Sequence, residues 1–118
     1  MSASPARITD ASLEFQSLID VLDDAYWEAS TLESKDIIYD ILTVFHRELN
    51  ELNKLSIQDH HYPYEMITDV IRQVSPKLHR LLANVSKLVE RTNTQVRLNR
   101  TLRNTIAIVD QQSGSWGQ

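Results

Sequence analysis

Glycine is almost missing from this chain: Gly114 and Gly117 are the only two, so residues 1–113 contain none. Phosphate-cradling loops, nucleophile elbows and two-residue hairpin turns need backbone at positive φ or close approach to a ligand, which glycine supplies. Their usual sequence forms are excluded. Cysteine is absent altogether, which removes disulfides, thiol nucleophiles and thiolate zinc sites and fits a reducing compartment. Residues 1–12 lack the apolar core of a secretory signal. No apolar run approaches the ~18 residues that cross a bilayer. The expectation is a cytoplasmic protein with no membrane span.

What remains is ordinary globular material. The 118 residues are 42% apolar and 24% charged, enough for one domain that buries roughly 65% of its unfolded surface. Net charge is −4, unevenly spread. Residues 1–59 carry 12 acidic and 4 basic side chains, and residues 60–118 carry 4 acidic and 8 basic. Two halves that pack against each other would explain the asymmetry. An acidic partner or nucleic acid is the rival explanation.

Apolar periodicity makes the chain all-α. Residues 1–8 are small and polar and read as a disordered N-terminus, residues 9–111 as a helical bundle domain, and residues 112–118 as a flexible tail carrying Trp116. Thr9 or Asp10 can cap a first helix whose stripe is Phe15, Leu18, Ile19, Leu22, Ala25, Tyr26 and Ala29. Ser30 to Glu33 has the form of a capping box, with Ser34 as another cap. A second helix follows on Ile37, Ile38, Ile41, Leu42, Phe45, Leu49 and Leu52. Pro63 then suits the first position of a short third helix along Met66, Ile67, Val70, Ile71 and Val74, and Ser75-Pro76 breaks it.

From Pro76 to Gln111 no glycine or proline interrupts the pattern, which favours one continuous helix of roughly 54 Å. A turn at Thr92-Asn93-Thr94 is the alternative. Leu81, Val85, Leu88, Thr92, Gln95, Asn99, Leu102, Ile106 and Val109 form a coiled-coil-like heptad seam with three polar layers at its centre. The whole is then a small antiparallel bundle of three to four main helices with a long C-terminal helix. Such a helix overhangs its own bundle and leaves Leu102, Ile106 and Val109 uncovered. A homodimer would cover them in an interface that also includes Gln95, with Asn99 at an a position fixing register and Trp116 as an anchor.

Other chemistries find little support. Asp20, Asp23, Asp24 and Glu28 lie off the first apolar stripe and read as a solvated face, with Trp27 at the border as a contact surface. Asp59, His60, His61 and Glu65 contain zinc-compatible atoms, yet adjacent residues rarely point at one ion. No Glu-x-x-His motif of a di-iron bundle occurs, and no nucleophile has a patterned partner. Arg80, Lys87 and Arg91 opposite the first half of the seam, and Arg97, Arg100 and Arg103 opposite the second, could meet phosphates. The sequence therefore predicts a non-enzymatic protein–protein interaction, regulatory or chaperone-like adaptor, without cofactor, acting through its C-terminal helix. A nucleic-acid-associated regulator and a metal-binding bundle are the alternatives.

Overall fold

The computed structural model describes the backbone of residues 6–116 and the side chains of residues 6–111. Five α-helices pack together: α1 (Ile8–Glu28), α2 (Leu32–Asn53), α3 (Ser75–Ala83), α4 (Val85–Leu88) and α5 (Thr92–Trp116). Helix α1 is central, with α2 antiparallel along one flank and α5 antiparallel along the other; α3 packs on α5 and meets α2 more sparingly. Phe15, Phe45 and Tyr64 meet edge-on at the core, with ring centroids 5.0 and 5.3 Å apart. Such contacts add directional preference to the apolar burial of three large rings.

The helix starts depart from the expected caps in instructive ways. Helix α1 begins at Ile8, so Asp10 caps it from inside the first turn, accepting a 3.2 Å hydrogen bond from the Arg7 amide. Thr9 points elsewhere and donates to the His60 carbonyl at 2.9 Å. A one-residue antiparallel bridge between Arg7 and Pro63 fixes this entry. The Ile8 amide donates to Tyr62 and the Tyr64 amide to Ala6. Ala6 to Ile8 are thus held, although they fall in the stretch expected to be disordered; residues 1–5 lie outside the described residues. Between α1 and α2 the cap is Thr31, whose hydroxyl oxygen accepts from the Ser34 amide at 3.1 Å, in place of the expected Ser30–Glu33 box.

The third helix expected after Pro63 does not form. Residues 62–70 run irregularly, and only a 3-10 turn at Ile71–Gln73 follows. The reason is a buried carboxylate. Glu48 accepts from the Tyr64 hydroxyl at 2.7 Å, the Ile67 amide at 2.9 Å and the Thr68 amide at 2.9 Å. Those partners draw the segment onto α2 in an open path that buries Tyr64, Met66 and Ile71 but leaves Ile67 and Val70 exposed. The expected apolar stripe is divided between core and solvent.

The long C-terminal helix is also broken. Asn84 leaves helical geometry at φ −121° and ψ 14°, and Val89 is extended at φ −130° and ψ 128°. The chain turns back at 89–91, just ahead of the alternative turn at Thr92, and α5 then runs antiparallel to α3. Polar side chains satisfy the exposed carbonyls. Asn84 donates to the Arg80 carbonyl at 2.8 Å, and Gln95 to the Val89 carbonyl at 2.6 Å. With the helix folded on itself, Leu78, Leu81, Leu98, Leu102, Ile106 and Val109 all enter one core. The apolar positions of the expected single seam belong to two helices facing each other. Helix α5 continues to Trp116, through residues expected to form a flexible tail.

Candidate functional site

The short turn after α1 brings aromatic residues of two helices to one corner. Trp27 lies in the last turn of α1 and is 73% exposed; Leu32 opens α2 at 75%, and Tyr39 stands two turns on at 56%. Half-buried Tyr26 joins them, perpendicular to Trp27 at 5.4 Å and tilted against Tyr39 at 6.2 Å. Lys35 stitches the corner together. Its ammonium lies 4.6 Å from the Tyr26 ring and 5.7 Å from that of Trp27. It also donates to the Tyr26 carbonyl, one of the orphan acceptors at the end of α1, at 2.5 Å. A cation there complements the helix dipole and fixes the rings from beneath.

Carboxylates surround this corner. Helical spacing places Asp20 and Asp23 on the Trp27 face of α1, and Asp36 one turn after Leu32; all three are exposed. The arrangement combines large ring area, little rotamer entropy to lose and a negative rim. Those are the features of an interface anchor.

The seam expected to bind a second copy lies elsewhere, and is spent. Leu102, Ile106 and Val109 are buried in the chain's own core, and Gln95 and Asn99 are half-buried. The overhang that exposed them in the sequence-based reading vanishes with the helix break. The Trp116 side chain lies outside the described residues.

The basic stripe is divided between elements. Arg80 and Lys87 stand beside Glu33 at the α2–α3 seam. Arg91 and Arg97 share a cleft with Asp24 and Glu28, where Arg97 bonds Asp24 at 2.8 Å. Arg100 and Arg103 are exposed on α5. His60 turns its ring to the Leu52 carbonyl at 3.2 Å, while His61 and Glu65 face solvent. Among the described residues no group of three His, Cys, Asp or Glu side chains could hold a metal ion.

Glu48 is the important residue that sequence reasoning passed over. Its signal was visible: a carboxylate three residues after Phe45 and four before Leu52 stands on the apolar stripe of α2. Burial and the adjacent Glu48 charge push the Tyr64 hydroxyl far above its ordinary pKa, so it remains a donor to that carboxylate.

Fold and surface together define a helical bundle with one buried carboxylate, Glu48, and with exposed aromatic residues gathered at the α1–α2 corner. Comparison with known proteins finds no matching family model, curated protein or solved structure.

Proposed function

We propose that this chain is a non-enzymatic recognition module, a small helical adaptor that binds a basic, apolar-bearing segment of a partner protein at the aromatic corner. The observation that carries the reading is the exposure of Trp27, Leu32 and Tyr39 around a ring cluster already ordered by Lys35. Pre-ordering lowers the entropy lost on binding, and buried Trp and Tyr are the commonest energetic anchors of interfaces. The acidic rim of Asp20, Asp23 and Asp36 selects a partner of positive charge. It also disfavours a two-fold pair at this corner, because an isologous contact sets the same rim against itself.

The adaptor role expected from sequence is kept, and its surface moves from α5 to the α1–α2 corner. The test is recovery of partners from the native cell on immobilised wild-type chain, Trp27→Ala and Asp20→Lys/Asp23→Lys. A partner retained by wild type and lost from both variants, with melting curves unchanged, is the expected result. Equal recovery on all three removes the corner as the binding surface. A dependence on the acidic residues alone removes the aromatic anchors.

A further inference from the structure

The opposite flank of α2 carries a surface of the other sign. Where α2 meets α3 and α4, a cleft of about 370 Å3 opens over Ile37, Leu81 and Leu88, with Arg80 and Lys87 at its edge. The Lys77–Asp40 ion pair, at 2.7 Å, crosses the seam at its lower end. Beyond it a second cleft of about 250 Å3 is lined by Val44, Val70 and Arg47. Arg47 in turn borders a third opening beside Ile67. The groove follows α2 from Glu33 to Lys54, a length of roughly 30 Å at the helical rise.

Charge decides what could lie in it. Lys77 is neutralised by Asp40, and Lys54 by Glu51 at 2.8 Å. Among the described residues Arg47, Arg80 and Lys87 have no such ion-pair partner, and they outnumber Glu33. The groove is therefore a cationic rim over an aliphatic floor, on a chain whose net charge is negative. We infer that it docks an amphipathic helix with acidic flanks from a second protein. Ile37, Ile67 and Val70 are partly exposed along it; aliphatic side chains of a helix at spacings of three and four residues meet such a row, and its flanking carboxylates meet the arginines and lysine. A nucleic-acid strand would use the cations alone. No aromatic side chain lines the three clefts to stack a base.

This surface is independent of the aromatic corner, and its experiment keeps the two apart. The probe is a displayed library of 20-residue amphipathic helices, apolar on one face and randomised between Glu and Lys on the flanks, selected against the full chain. Enriched clones are expected to carry Glu on both flanks. They should bind Arg80→Glu/Lys87→Glu and Ile37→Asp at least about tenfold more weakly, and Trp27→Ala unchanged, with circular dichroism confirming each fold. Enrichment of Lys-flanked clones overturns the inference. So does binding indifferent to the groove variants, displacement of clones by a single-stranded oligonucleotide, or no enrichment above a scrambled library.

Discussion

Glu48 shows how one side chain can overrule a local pattern. The positions Met66, Ile67, Val70, Ile71 and Val74 carry helical spacing, yet the backbone amides of Ile67 and Thr68 bond Glu48 and leave no helix there. A buried carboxylate without donors is far costlier than a short helix of weak propensity is favourable, so the loop wraps the acid. Glu48→Gln keeps the size and one acceptor but turns an amide NH2 toward a backbone N–H. That leaves a buried donor unsatisfied, at about 1–3 kcal/mol. The expected outcome is a melting temperature lower by roughly 5–10 °C and faster hydrogen exchange at Ile67 and Thr68. Unchanged melting and unchanged amide protection would refute Glu48 as the organiser of this loop.

Among the elements, α1 and α2 were legible in position and buried face, because each has a long unbroken stripe, although the residues that cap them, Arg7 and Thr31, were not the expected ones. The reversal before α5 was not. No glycine or proline marks it, and the side-chain amide that satisfies its carbonyls at Val89 and Glu90, from Gln95, reads locally as an ordinary helix-surface residue. The clue was tertiary: a single helix could not bury both apolar halves, while a folded one buries them against each other. For that reason the candidate interface at Leu102, Ile106 and Val109 was misread, whereas the aromatic corner was legible only as Trp27 at a stripe's border. The expected dimer seam and the folded core predict different behaviour for Ile106→Asp. On an exposed dimer seam it would halve the solution mass and leave the fold intact. In this core it buries a charge, so unfolding should become easier by on the order of 3 kcal/mol or more. Urea denaturation read beside sedimentation separates the outcomes, and a stable variant that only changes mass would contradict the helix break.

For the whole molecule, the question is what the charge asymmetry accomplishes. If the acidic and basic halves existed to hold each other, many pairs should cross between them. Two crossing salt bridges are found among the described residues, Lys77–Asp40 and Arg97–Asp24, and every side chain in them is about half exposed. Pairs of that kind contribute about 0–1 kcal/mol each and are screened by salt. Stability rests instead on the continuous core from Ile8 to Val109. The unneutralised charge is left to the surfaces: carboxylates around the aromatic corner, cations along the α2 groove, on opposite flanks of one helix. Raising salt from about 0.05 M to about 1 M shortens the Debye length severalfold, to about 3 Å. The melting temperature of the free chain should then change by no more than about 3 °C, while affinity at the corner falls at least about tenfold. A large salt-induced loss of stability would return the asymmetry to folding. Salt-insensitive binding would mean that the acidic rim does not select the partner.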